Sequence, residues 1–226
     1  MKQKYTIAIL GGTGAQGGGL GLRWAKAGHQ IIVGSRDVEK AEAKAAAIRE
    51  TLGIQTVSGE TYERAASKAD IIALTVPHSV QRSTIEQAID GLHGKIIIDA
   101  TVPLVPPKVA RVQLPPEGSA VASLQRWLGD KARVVAAFQN VSAHHLSDLE
   151  HPVECDVLVC GDDVAAREVV IGLARDAGLD AYHAGPIENA VAVEALTSLL
   201  IAINIRYKAP GSGIRITRVP THTVHK

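Results

Sequence analysis

Six residues near the start of the chain, Gly12-Thr13-Gly14-Ala15-Gln16-Gly17, set three glycines in the spacing G-x-G-x-x-G. Gly12 permits a tight turn, Gly14 lets a pyrophosphate approach bare backbone, and Gly17 lets a following helix pack close to a strand. At the end of the next apolar run stands Gly34-Ser35-Arg36, where an NAD site would carry an acidic residue for the ribose hydroxyls. Arg36 offers a planar cationic fork, Ser35 a hydroxyl and Lys40 a second cation, all suited to a 2′-phosphate. The expected dinucleotide is therefore NADP. Thr75, Val76, Pro77 and His78 end a later apolar run and are placed at the cofactor's edge, His78 being either a contact or a plain loop histidine. Ala137 and Gln16 are grouped with the cofactor-binding residues.

A second set of residues reads as a platform for a flat neutral ring. Phe138-Gln139-Asn140-Val141-Ser142-Ala143 offers two amides, a hydroxyl and an aliphatic side chain, with no Asp, Glu, Lys or Cys. Gln139, Asn140 and Ser142 can hydrogen-bond a heterocycle, and Val141 can press on its face. The turn is expected to face the nicotinamide end of the cofactor, the alternative being a plain polar connector. His144-His145 follow, but adjacent residues of a helix point apart and no companion stands at i+4, so no metal is expected.

The elements that must position these groups alternate between strand and helix. Ile7–Leu10 and Ile31–Val33 read as buried strands, with an amphipathic helix from Leu20 that stops at Gly28. An alanine-rich helix follows over Val38–Leu52, with Asp37 as N-cap and Gly53 as stop. Further strands are expected at 54–57, 71–76, 95–99 and 132–137, and helices at 61–68, 79–90 and 119–128. The proline-rich stretch from Pro103 to Pro116 is read as a loop lining the site. A strand over 155–160, a helix over 164–177, a strand over 180–184 and a long apolar helix over 187–207 complete the pattern, with an edge strand at 214–216. The apolar helix is expected in the core or at a subunit contact, which favours a homodimer.

Composition narrows the function. Lys and Arg number 24 against 23 Asp and Glu, so the chain is nearly neutral and has no general attraction for nucleic acid. Aromatic residues at 3% offer no stacking platform for single strands. No run reads as a membrane span, and the N-terminus runs directly into the first strand. Cys155 and Cys160 fall on opposite faces of one strand by parity, which suits buried free thiols in a reducing cytoplasm.

With these stretches in place the chain resembles the NADP oxidoreductases that use the reduced deazaflavin coenzyme F-420. The segments LGGTGAQG, VGSRDVEKAEAKAA, LTVPH and VCGDDVAAREVV carry the likeness, with DAYHAGPIENAVAVEALTSLL, over about residues 5–216. The resemblance implies an α/β fold: a doubly wound Rossmann sheet over 1–150, a small C-terminal α/β domain over 151–216 and a tail over 217–226. It implies NADP phosphate contacts from Thr13, Ser35, Arg36 and Lys40, and a deazaflavin beside the Phe138–Ala143 turn and near Gly211 and Gly213. Gln139 departs from the family pattern, where archaeal members carry His. Two other readings remain open. One is an NADPH-dependent reductase of a carbonyl or imine, with Tyr207 or Lys208 as proton donor. The other is a domain that senses NADP without turnover.

Overall fold

The computed structural model describes residues 3–219. Six strands form one parallel sheet: β1 (Thr6–Leu10), β2 (Gln30–Ser35), β3 (Val57–Thr61), β4 (Ile71–Leu74), β5 (Lys95–Asp99) and β6 (Ala132–Ala136). Their order is β3-β2-β1-β4-β5-β6, which reverses direction of progress between β1 and β4. This is the doubly wound dinucleotide-binding order, and ligands lie beyond the carboxyl ends of its strands at that reversal. The register is unbroken across the sheet, with Ile7 facing both Ile31 and Ile71, and Ile71 facing Ile96.

Both faces of this sheet are covered, which is why its strands read as continuous apolar runs. Ile7, Ile9, Ile31, Val33 and Ile98 pack beneath α1 (Ala15–Lys26), α2 (Val38–Leu52) and α7 (Val164–Asp176). Ala8, Leu10, Ile72, Leu74 and Ile97 face α3 (Tyr62–Lys68), α4 (Gln81–Glu86) and α5 (Ala120–Leu128). After β6 comes the short α6 (Ala143–Ser147), then a two-stranded parallel sheet of β7 (Val157–Val159) and β8 (Ala181–His183), then α8 (Ala190–Tyr207). An antiparallel bridge between Ala136 and Cys160 joins the small sheet to the large one.

Several expected boundaries move for physical reasons. The third strand is Val57–Thr61 rather than 54–57, because Gly53 turns left-handed (φ 65°) and Ile54 packs under α2. Gly59 lies against the α2 backbone, where a Cβ would come 2.2 Å from Glu42 N, so only glycine lets the strand pass there. The helix expected over 79–90 is broken into a 3₁₀ turn at His78–Val80, α4, and a second 3₁₀ turn at Ile89–Gly91. The strands expected at 155–160 and 180–184 shrink to three residues each, yet Cys155 and Cys160 do fall on opposite sides of the sheet, both buried and free. No strand forms at 214–216; Ile214 O accepts from Asp156 N (2.8 Å) and Ile216 N donates to Asp156 Oδ2 (2.6 Å). Residues 220–226 of the expected tail lie outside the described residues.

Of the two settings expected for α8, core or subunit contact, the core accounts for one edge only. The composition of α8 is apolar all round, with a mean hydropathy of 1.5, and by length and composition it could cross a membrane. It is not a core helix: Leu199, Ile203, Ile205 and Tyr207 are exposed, Ile205 at 68%. Its inner edge carries Glu194, whose carboxylate accepts from Ser119 Oγ (2.6 Å), Ala120 N (2.9 Å) and Val121 N (3.1 Å) at the start of α5.

One side chain ties the two halves of the molecule. Arg23 on α1 is buried and donates from Nε to Leu146 O (2.8 Å), from Nη1 to Ala177 O (2.9 Å), and from Nη2 to His145 O (3.1 Å) and Asp148 O (2.5 Å). It thereby satisfies carbonyls at the ends of both α6 and α7. Trp24 beside it donates Nε1–H to Leu173 O at 2.8 Å. Arg23→Met leaves those carbonyls without donors and should cost about 2–4 kcal/mol in urea unfolding. Arg23→Lys should recover little, since one ammonium cannot span four acceptors. A loss below about 1 kcal/mol for Arg23→Met would show that the guanidinium is not the tie.

Candidate functional site

The glycine loop lies where the strand order predicts. Gly14 is the N-cap of α1, with no side chain capping that end and no acidic residue in the first turn. The opening N–H groups of α1 and its positive dipole end therefore meet whatever anion lies in the loop. Close packing fixes the loop itself. A Cβ on Gly17 would meet Thr75 Oγ1 and come 2.8 Å from Gly11 O, and one on Gly12 would come 2.9 Å from Ile9 O. Thr75 Oγ1 donates to Leu10 O at 3.2 Å, locking the ends of β1 and β4 together.

Beside the loop is a cavity of about 210 Å³ lined by Thr13, Gly14, Arg36, Tyr62, Thr75, Val76, Pro77 and Thr84, among others. Arg36 is exposed at its mouth and forms no ion pair among the described residues. Ser35 is buried, its Oγ accepting from Asp37 N at 3.2 Å, which leaves its own proton to donate. Asp37 is the N-cap of α2 as expected, accepting from Glu39 N and Lys40 N. Those backbone bonds, Lys40 N first, hold its carboxyl below the usual range, and the Lys40 ammonium lies 3.4 Å from it. The residue that ends β2 is Ser35, followed by Arg36, and the carboxylate of Asp37 is engaged at the start of α2. His78 does not line the cavity; it opens a 3₁₀ turn, half-buried, where burial pushes its imidazole below the ordinary value against the pull of Glu117. Tyr62 and Thr84 are not among the expected residues, because the sequence gives no sign that α3 and α4 close this wall.

The Phe138–Ala143 turn follows β6 at the same edge, but its polar side chains face inward. Phe138 is a buried residue with φ 72°, an unfavourable backbone state that surrounding contacts must enforce. Its carbonyl accepts from Gln16 Nε2 at 2.8 Å, and its ring meets Trp24 edge-on at 5.8 Å. Gln139 donates Nε2–H to Asp99 O (2.8 Å), and Asn140 donates Nδ2–H to Val193 O (2.9 Å). Val141 is 6% exposed, in the core. Gln16, expected on the cofactor, thus also anchors this turn. Ser142, Gly211 and Gly213 instead line a larger cavity of about 680 Å³, together with His144, His145, Asp148 and Cys155. The structure therefore separates the expected ring-binding residues into a buried turn and an open cavity beside it.

One buried carboxylate next to the turn faces neither cavity, whereas His144, His145 and Asp148 line the larger one. Asp99 at the end of β5 is fully buried, with Oδ2 accepting from Gln81 Nε2 (2.6 Å) and Oδ1 from Thr101 N (2.9 Å). It lines neither cavity. Tyr207 and Lys208 also line neither; Tyr207 is 76% exposed at the end of α8. A proton donor from either is thus not at hand in the cleft.

The likeness to known proteins is extensive. Residues 6–103 match the family model described as NADP oxidoreductase coenzyme F420-dependent. An F420-dependent NADP reductase of Methanocaldococcus jannaschii is 45% identical over 221 residues, covering 94% of this chain and 98% of its own. Its counterpart in Methanothermobacter thermautotrophicus is 43% identical over 221 residues, 95% of each chain. The chain belongs to the F420-dependent NADP oxidoreductase family. A solved structure of a candidate F420-dependent NADP-reductase from Arthrobacter sp. FB24 superposes with a TM-score of 0.79 at 25% identity, covering 95% of this chain and 100% of that one. The glycine loop and Arg36 line one cavity beside the point where the strand order reverses.

Asp99 supplies a test of the site's electrostatics. Burial pushes its carboxyl up to about 6, overcoming the hydrogen bonds from Thr101 and Gln81, and Glu194 adds to the rise. A raised carboxylate pKa means that ionisation costs stability in the folded state. The stability is fully present below the unfolded value near 4 and falls as pH rises to about 6. Asp99→Asn mimics the protonated form. Its stability relative to the parent should therefore improve by about 2–3 kcal/mol between pH 4 and pH 7 in denaturant titrations. A gap that does not move with pH would mean that Asp99 ionises as it does in water.

Proposed function

We propose that this protein catalyses reversible hydride transfer between reduced coenzyme F-420 and NADP. The observation that carries this reading is the pairing of a bare glycine crevice with Ser35 and the exposed Arg36 at the end of β2, in a chain of this family. Gly12, Thr13, Gly14 and Gly17 would take the pyrophosphate at the start of α1, and Ser35, Arg36 and Lys40 the 2′-phosphate. Thr75, Val76 and Pro77 would border the adenosine. Ala137 and the turn through Val141 would back the nicotinamide. Ser142, Gly211 and Gly213 would border the deazaflavin in the larger cavity, whereas Ala143 lines a separate cavity with Ala15, Gly18 and Lys44.

The two carriers supply the redox chemistry, and the protein holds, spaces and dries them. Gln139 and Asn140 act as struts rather than as ring contacts, since both are buried and donate to Asp99 O and Val193 O. No proton need move at the transfer step, which agrees with Asp99 being sealed behind the turn. Tyr207 and Lys208, the donors named for the reductase reading, line neither cavity.

The arrangement is read as a dinucleotide domain over 1–150 with a small α/β domain over 151–216 resting on it. The exposed apolar face of α8, with Leu199, Ile203 and Ile205, fits a second copy of the chain. Two buried free thiols support a reducing cytoplasm as its setting.

Two measurements test these points. Charge-assisted bonds are worth about 1.5–3 kcal/mol each, so Ser35→Ala with Arg36→Ala should weaken NADPH binding by roughly 100-fold or more while leaving NADH nearly unchanged. Equal losses for both nucleotides would remove the 2′-phosphate role. In sedimentation, the parent should run as a dimer and Ile205→Glu as a monomer; a parent that is monomeric at micromolar concentration would leave the α8 face without its partner.

A further inference from the structure

One hydroxyl on α8 holds two consecutive residues of the ring-backing turn. Thr197 Oγ1 donates to Gln139 O at 3.0 Å and accepts from Asn140 Nδ2 at 3.1 Å. The same Asn140 amide also reaches Val193 O, one helical turn earlier. α8 is itself fixed at that level: Glu194 lies three residues before Thr197, on the neighbouring position of the same helix face, and binds the start of α5 through three hydrogen bonds. Further along, α8 holds the glycine loop at 211–213 as well. Ser212 Oγ donates to Leu200 O (3.3 Å), and Ser212 N donates to Asn204 Oδ1 (2.7 Å). One helix thus grips both segments to which the proposed function assigns the two rings.

The grip is needed because the turn does not hold itself. Phe138 is left-handed without being glycine, and Gln139 Oε1 and Asn140 Oδ1 are buried without a hydrogen-bond partner among the described residues. Both features cost free energy and persist only where neighbours over-determine the geometry. On the strand side the restraint is Asp99 O; on the helix side it is the Thr197 hydroxyl. We infer that Thr197 is a positioning residue that sets the spacing of the two carrier rings by fixing Gln139 and Asn140 from α8.

This inference rests on the hydride-transfer reading, and its test separates the two. Thr197→Val keeps the shape and removes both hydrogen bonds; Thr197→Ser keeps the hydroxyl and removes a methyl. A misplacement on the order of 1 Å can cost 100-fold in rate, so Thr197→Val should lower kcat by about tenfold or more. The KM for NADPH should stay within about twofold, because the phosphate contacts lie at the far end of the crevice. Thr197→Ser should restore most of the rate. Hydrogen–deuterium exchange over 137–142 gives a readout apart from turnover: faster in the valine variant, as in the parent for the serine variant. Exchange and kcat unchanged in Thr197→Val would overturn the role, and so would equal losses in both variants, which would mean packing rather than the hydroxyl. If Thr197→Val prevented folding, the serine variant and its exchange would still decide. A parent with no hydride transfer would instead sink the functional reading, and exchange alone would then judge the clamp.

Discussion

Two planar carriers exchange a hydride only when something rigid keeps their reacting carbons at contact distance, roughly 3–3.5 Å. The proposed function gives that part to a short turn at the end of β6, and much of the tertiary structure converges on it. Gln16 reaches it from α1, Asp99 O from the central sheet, Thr197 and Val193 from α8, and Trp24 packs on its aromatic ring. The helix that would cradle the phosphates and the turn that would back the ring are thereby parts of one frame. Arg23, one residue from Trp24, extends that frame to α6 and α7. A displacement of α1 would therefore move both ends of a bound dinucleotide together.

Charge is distributed to the same end. The cations stand at the end of β2, exposed and able to meet a phosphate, whereas the two buried carboxylates near the turn are consumed by neutral donors. Glu194 serves as a cap for α5, and Asp99 closes a small network with Gln81 and Thr101. Burying a carboxylate without a cation is unfavourable, and burial accordingly raises both groups. Neither Asp99 nor Glu194 lines either cavity, so the ionisable groups open to the larger one are those of the 144–155 segment, among them His144, His145 and Asp148.

Local patterns carry much of this into the sequence. Glycines 12, 14 and 17 are legible because the close approaches they allow occur within a few residues of one another, or to the next strand in order. The Ser35-Arg36 pair is legible because its place, the end of the second strand, is set by the fold. Asp37 as N-cap is readable from the helix that follows it. The third strand is harder to place, since Ile54 looks like a strand residue but serves to pack under α2, while Gly59, a poor strand former, is required there by the close α2 backbone. The setting of α8 escapes the sequence because hydropathy records which residues avoid water and not what covers them. The roles of Thr197 and Asp99 are invisible for another reason: their partners lie 58 and 40 residues away, at Gln139 in both cases. The charge of Glu194 inside an apolar helix is the one signal in the sequence that α8 meets the sheet domain.

The most direct test of the whole account is optical. Reduced deazaflavin and NADP, mixed with the purified protein, should give reappearance of the oxidised deazaflavin absorbance in step with NADPH formation, one for one, and far more slowly when NAD replaces NADP. Tight NADPH binding with no change in the deazaflavin spectrum, or turnover confined to carbonyl or imine substrates, would contradict it.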